Sequence, residues 1–287
     1  MDKKSSKKIG LALGGGGARG LAHIGVIKIL EQAGIPIDFI AGTSMGALVG
    51  GWYAATKDIK SLEEIFLKIR RKDIFSASAM LIRQKGDPFK NEAITDFLSS
   101  RLDNKDIKDC LIPFRAIATN VENGKEEEFD KGLLVETIRA SSALPILMKP
   151  VKIGDKILAD GAFVNNVPAD VVKKMGADIV IAVDVSKGWI DFTETSINIK
   201  HAYSLISNII DGLVYQLAKK KLEVADFVLR PAVFNYETLA FSHAKDIIAA
   251  GEKEIKKHLK ELQQKTGIYK EIPKTILEKI IDFIFTE

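Results

Sequence analysis

Cysteine is nearly absent: Cys110 is the single one among 287 residues. One cysteine excludes a disulfide within the chain and any cysteine-based zinc site. Ahead of a strand it reads as a small buried residue. Long apolar runs are also missing, and none approaches the roughly 18 residues of a membrane span. Leu11-Ala12-Leu13 runs straight into glycines, so the basic start lacks the apolar segment of a secretory signal. Excess charge is scarce as well. The formal net charge is +4, most of it from Lys3, Lys4, Lys7 and Lys8 against Asp2. The remaining body is nearly neutral, without the basic stripe of a nucleic-acid binder. These absences set the expectation of a cytoplasmic protein with a basic disordered tail over residues 1–7. It has no nucleic-acid partner and meets membranes only as peripheral contact.

What is present suits a globular fold with a sizeable core: 46% of residues are hydrophobic and 28% charged. Short apolar runs alternate with helical patterns. Strands are expected over Ile9–Leu13, Ile37–Ala41, Phe114–Thr119, Lys156–Ala159, Ile179–Asp184 and Phe227–Leu229. Such alternation predicts an α/β protein with a largely parallel sheet covered on both faces. The first helix is the clearest: Ala18, Leu21, Ala22, Gly25, Val26, Ile29, Leu30 and Ala33 share a helical stripe, which Gly34 ends.

Between the first strand and that helix lies Gly15-Gly16-Gly17-Ala18-Arg19-Gly20, a literal G-x-G-x-x-G. Backbone N–H groups at such a loop stabilise negative charge, whether of a phosphate or of an oxyanion. The dinucleotide reading needs an acidic residue at the end of the second strand. Asp38 stands instead at that strand's start, and no Gly-Lys-Ser/Thr follows the glycines to make a P-loop. The second strand ends in Gly42-Thr43-Ser44-Met45-Gly46, a G-x-S-x-G before a helix-like run over Ala47–Thr56. In that context Ser44 reads as a nucleophile on a sharp strand-to-helix turn. Alone, an N-capping serine explains it equally well. The first two strands of a βαβ unit send both loops to one sheet edge. A nucleophile beside a bank of N–H donors favours acyl transfer over phosphate binding.

A serine nucleophile requires a base. His23 is expected to point away from Ser44, opposite the apolar stripe. His201, His243 and His258 lie in helical patterns with charged neighbours. Surface or helix-flank positions are expected for all four, with His201 and His243 left open as bases. The other candidate is Asp160, at the end of the Lys156–Ala159 strand and followed by Gly161-Ala162.

With these motifs in this order, the chain resembles a bacterial patatin-like phospholipase. That family includes plant patatins and neuropathy-target-esterase-type lysophospholipases. The resemblance rests on Gly15–Gly20 with Arg19, Gly42–Gly46, Asp160-Gly161-Ala162, Arg139–Pro145 and the Asn165-Asn166/Pro168 loop. It implies a three-layer α/β/α sandwich and a Ser–Asp dyad, with Ser44 as nucleophile and Asp160 as base. It also implies an oxyanion hole from Gly15, Gly16 and Gly17 and a loop-ordering role for Arg19, with Gly42, Gly46 and Gly161 supporting the turns. The implied reaction is hydrolysis of lipid acyl esters, with neither metal nor cofactor. A nucleotide-binding protein and a non-catalytic lipid binder are the alternatives.

The catalytic domain is drawn over residues 8–262. Residues 263–287 form an extension in which Leu277, Ile280, Ile281 and Ile284 share a helical face that packs on the domain, forms a dimer contact or docks on a membrane. Ser76–Phe89 reads as a loop that either caps an acyl pocket or packs in the core. Phe163 and Val164 either line that pocket or are simply buried. Homo-oligomerisation is left open.

Overall fold

The computed structural model describes residues 7–68, 98–102, 104–145, 148–186 and 199–270. The Ser76–Phe89 loop, the Leu277–Phe285 stripe and residues 1–6 of the basic tail lie outside the described residues.

The fold is an eight-stranded mixed sheet between two helical layers. Five strands run parallel: β1 (Ile9–Leu13), β2 (Phe39–Thr43), β3 (Phe114–Asn120), β7 (Ile179–Val183) and β8 (Phe227–Leu229). Their order is β3-β2-β1-β7-β8. Both β4 (Glu126–Phe129) and β6 (Lys156–Asp160) pair antiparallel with β3, and β5 (Val151–Ile153) extends the sheet from β6. The helices with described bounds are α1 (Ala22–Gln32), α2 (Met45–Thr56), α3 (Ile59–Lys68), α4 (Leu134–Ser141), α5 (Ala162–Asn165), α6 (Ala169–Lys174), α7 (Ile199–Leu222) and α8 (Ala244–Thr266).

Alternation along β1 assigns the layers. Ile9, Leu11 and Leu13 face the larger core with residues of α1, α2, α3 and α8. Ala12 faces the other side, with Val171 and Val172 of α6 and Ala218 and Leu222 of α7. Period-two side chains on a strand buried on both faces require this division. Cys110 is half-buried and packs against the larger core.

One pairing detail positions the site. Ala116 and Ile117 of β3 pair with both β2 and β4, and Ala118 and Thr119 with both β4 and β6. A strand has two edges, so β4 occupies one, and β2 then β6 share the other end to end. Thr43 closes β2 opposite Ile117, and Asp160 closes β6 opposite Ala118.

The expected strands all form, Ile9–Leu13 and Phe227–Leu229 with the expected bounds and the other four with shifted ends. The second starts at Phe39 rather than Ile37, because the Asp38 carboxylate is taken up by the Lys8 ammonium and the Ile9 N–H, both at 2.8 Å. Two strands escape sequence patterning. β4 is Glu-Glu-Glu-Phe, whose charges are matched from neighbouring elements: Glu126 by Lys221, Glu127 by Lys156, Glu128 by Arg115 and Lys174. β5 is three residues long. At the other end, α8 runs through the 262/263 boundary drawn from the sequence, with Leu262 fully buried. No described helix is long and apolar enough to cross a membrane.

Candidate active site

Ser44 joins β2 to α2 with φ 55° and ψ −121°, a conformation unusual for a residue with a Cβ. Its side chain does not cap the helix; its carbonyl instead accepts from the Ala47 N–H at 2.9 Å. The N-capping reading therefore fails. Glycine at 46 lets α2 start against β1: a Cβ there would lie 2.1 Å from the Leu13 carbonyl oxygen. Gly42 and Gly161 are held by similarly close backbone, at Gly46 and Ile117 respectively.

Asp160 ends β6 and is 2% exposed. One carboxylate oxygen accepts from the Ala162 N–H at 2.9 Å, and the neighbouring Ser44 side chain also favours the ionised form of the carboxylate. Burial outweighs both contacts and raises its pKa from 3.8 to about 6. Its backbone is fixed by the Thr119 hydroxyl on its carbonyl at 2.7 Å and by its N–H on the Ala143 carbonyl at 3.0 Å.

Ser141, fully buried at the end of α4, joins the two halves. Its hydroxyl oxygen accepts from the Ser44 N–H at 2.9 Å, and its carbonyl accepts from the Gly161 N–H at 3.3 Å. Sequence reading placed it in the Arg139–Pro145 stretch without giving it a role. The serine–serine–alanine run at the end of a short helix was the available signal.

The glycine loop packs against Ser44, since a Cβ on Gly15 would sit 3.1 Å from that of Ser44. The three expected donors are not equivalent. The Gly15 N–H already donates to the Asn166 carbonyl at 3.1 Å, so Gly15 is corrected from donor to wall. The Gly16 and Gly17 N–H groups have no partner among the described residues. Gly15, Gly16 and Gly17 line one pocket with Ser44 and Asp160. Its apolar wall comes from Leu144, Pro145, Phe163, Ile210 and Val214. Phe163 thus lines the pocket, whereas Val164 packs in the smaller core.

Two basic side chains, Arg19 and His23, are buried beside the glycine loop. Arg19 is held among neighbouring elements. It is 2% exposed and reaches Asp211 of α7 at 3.1 Å and the Tyr236 carbonyl at 3.4 Å, tying the glycine loop to the helix that walls the pocket. His23 does not point away from the site. It is fully buried, with Nε2 2.7 Å from the Gly14 carbonyl oxygen. The chain enters α1 through a 3-10 turn over Gly17–Leu21, which rotates the helix relative to a uniform 3.6-residue count. Helix α8 also covers the far side of α1, where a Cβ on Gly25 would lie 2.1 Å from the Ile248 carbonyl oxygen. No side of α1 is left for a solvent-facing histidine near its start. His243 and His258 do not line the pocket, and the His201 side chain lies outside the described residues. Among the described residues no cluster of His, Cys, Asp and Glu has the arrangement of a metal site.

This geometry has relatives. The family model described as patatin-like phospholipase matches residues 11–173. The chain is 32% identical over 279 residues to lysophospholipase NTE1 of Scheffersomyces stipitis, covering 86% of this chain and 18% of that protein. It is 30% identical to lysophospholipase nte1 of Emericella nidulans, covering 91% and 19% respectively. A Caenorhabditis elegans patatin-like phospholipase domain-containing protein, ZK370.4, is 38% identical over 191 residues, covering 62% of this chain and 13% of that protein. The chain thus spans under a fifth of the length of these curated relatives, which are fungal and nematode proteins. Among solved structures, VipD from Legionella pneumophila superimposes with a TM-score of 0.52 at 16% identity, covering 89% of this chain and 67% of that one, and shares the fold. On the match over residues 11–173, the chain belongs to the patatin-like phospholipase family.

Proposed function

We propose that this chain is a serine acyl hydrolase that cleaves lipid acyl esters through an acyl-enzyme on Ser44. The observation that carries the reading is Ser44, on a strained left-handed backbone, lining the same apolar-walled pocket as a buried carboxylate, Asp160. Asp160 takes the hydroxyl proton as Ser44 Oγ attacks the ester carbonyl carbon. The resulting oxyanion is received by the Gly16 and Gly17 N–H groups. Collapse of the tetrahedral intermediate expels the alcohol, which receives the proton from Asp160. Water then repeats the sequence on the acyl-enzyme, with Asp160 again as base, and releases the carboxylic acid. A carboxylate whose pKa is raised to about 6 is a stronger base than a free one and is still ionised at neutral pH.

The apolar wall supports a fatty acyl chain as the acyl group, and the lysophospholipase relatives support a lysophospholipid as the substrate. Approach to a lipid surface is supported by α7. Its inner side gives Ile210 and Val214 to the pocket, while Ile209, Leu213 and Leu217, four residues apart, form an exposed apolar ridge on its outer side. Exposed Lys219 and Lys220 follow, a charge suited to anionic lipid. The nucleotide-binding alternative loses support because Asp38, the one acid near the required spacing, is consumed by Lys8 and the Ile9 N–H. Treatment with a fluorophosphonate followed by peptide mass spectrometry tests the reading. An adduct on the Ser44 peptide, with hydrolysis of lysophosphatidylcholine, supports it; an active protein labelled elsewhere rejects it.

A further inference from the structure

His23 has no part in the proton transfer just described, yet it is a fully buried imidazole lodged under the glycine loop. Its Nε2 lies 2.7 Å from the Gly14 carbonyl oxygen, and its Nδ1 is buried without a partner. A carbonyl can only accept, so Nε2 carries the proton and the bare Nδ1 is the unfilled acceptor. Burial lowers the pKa from 6.5 to about 4, which keeps the ring neutral at physiological pH. A buried polar atom left without a partner is costly, and its retention calls for a compensating role.

The loop's peptide planes supply that role. In the Gly14–Gly15 peptide, the carbonyl accepts from His23 and the N–H donates to the Asn166 carbonyl at 3.1 Å, so both ends are held. In the next peptide, the Gly15 carbonyl accepts from the Asn166 side-chain amide at 3.5 Å. In the third, the Gly16 carbonyl accepts from the Arg19 N–H at 3.2 Å. A trans peptide points its N–H opposite its carbonyl. Holding the Gly15 and Gly16 carbonyls therefore sets the directions of the Gly16 and Gly17 N–H groups. The Gly15 contact is the longest in the series, so its orientation depends on the rigidity of the peptide before it. Glycines, with the largest conformational freedom of any residue, require such external restraint.

We infer that His23 is a positioning residue for the oxyanion hole, donating from Nε2 to the Gly14 carbonyl to fix the peptide from which the Gly16 and Gly17 donors are aimed. This rests on the acyl-hydrolase reading above. Preorganised donors act on the transition state, so their loss lowers kcat more than it raises KM.

The test compares His23→Gln, whose amide nitrogen reaches a similar position and keeps a donor, with His23→Leu, which keeps bulk and loses it. Both are assayed on a soluble short-chain p-nitrophenyl ester, after thermal denaturation establishes that they are folded. His23→Leu should lose about 10–100-fold in kcat with KM within about threefold, whereas His23→Gln should stay within about fivefold of the parent. The acid limb of the pH profile, which belongs to Asp160, should keep its position while the plateau drops. Undiminished kcat in folded His23→Leu, or equal losses in both variants, overturns the inference. Should His23→Leu fail to fold, nitrogen NMR of the unsubstituted protein decides: the Nε2–H tautomer supports the inference and the Nδ1–H tautomer overturns it. A fluorophosphonate adduct on Ser44 in the parent separates the two levels. A labelled parent with an indifferent His23 defeats this inference alone, while an unlabelled active parent defeats the acyl-hydrolase reading and this inference with it.

Discussion

Thr43 and Asp160 stand on adjacent rungs of the same edge of β3, Thr43 opposite Ile117 and Asp160 opposite Ala118. The strands that carry them run in opposite directions, so their C-terminal ends meet. The residue after Thr43 is Ser44. Ser44 and Asp160 are therefore brought together by backbone register on a shared third strand. Thr43 reinforces the junction by donating its hydroxyl to the Asn165 carbonyl at 2.7 Å, at the end of α5, the short helix that follows Asp160. A site built on sheet register is stiff, which suits a proton transfer between two fixed groups.

Ser141 should matter beyond its size. Its hydroxyl is the acceptor for the Ser44 N–H, in a residue already held at φ 55°. Ser141→Ala should fold and should lose about 3–10-fold in kcat, the worth of one neutral hydrogen bond. Steady-state kinetics on a soluble ester checks this, and unchanged kcat would remove Ser141 from the positioning set.

Activity should rise with pH through an apparent pKa near 6, because Asp160 must be ionised to accept the proton. Stability should move the other way. The folded pKa of Asp160, about 6, lies above its ordinary 3.8, so the folded state holds that proton more tightly. This favours folding at low pH and is lost as pH rises from about 4 to 6. Asp160→Asn should therefore be more stable than the parent above pH 6, by up to about 3 kcal/mol, with the difference vanishing near pH 4. His23, whose pKa is lowered to about 4, contributes the opposite slope in both proteins and cancels in the difference. Urea denaturation at pH 4, 5.5 and 7.5 measures it; a parent that is the more stable at pH 7.5 contradicts the burial argument.

The α7 ridge makes a separate prediction. Leu213→Asp with Leu217→Asp should weaken co-sedimentation with phosphatidylcholine vesicles containing phosphatidylglycerol by at least about fivefold, since each buried apolar side chain is worth roughly 1.5–3 kcal/mol. Turnover of a soluble ester should stay near the parent's. Equal vesicle binding by the variant and the parent would place the lipid contact elsewhere.

The sequence was most informative where chemistry and backbone constraint coincide. Gly42 and Gly46 flank Ser44 in a turn whose close backbone approach requires glycine, and Asp160-Gly161-Ala162 marks a strand end. The parallel core strands were legible because burial on both faces makes them nearly continuous apolar runs. β4 was not, because its three glutamates are neutralised by Arg115, Lys156, Lys174 and Lys221 from other elements, and strand patterning has no access to such partners. His23 was misread for a related reason. Its orientation depends on a 3-10 turn and on α8 covering α1, both tertiary facts. The commitment of the Gly15 N–H to Asn166 likewise joins residues 151 positions apart.

The central claim is that Asp160 is the base for Ser44, and turnover of Asp160→Asn tests it most directly. Purified, folded protein is assayed at saturating concentration of one soluble p-nitrophenyl ester, beside Ser44→Ala, the double variant, His201→Ala and His243→Ala. Asp160→Asn should lose at least about 100-fold in kcat, the low end for removal of a positioned general base. The double variant should be scarcely worse than either single one, because the pair works as a unit, and both histidine variants should keep near-parent turnover. An active Asp160→Asn beside a silent His201→Ala or His243→Ala would contradict the dyad and make the site a histidine-dependent triad.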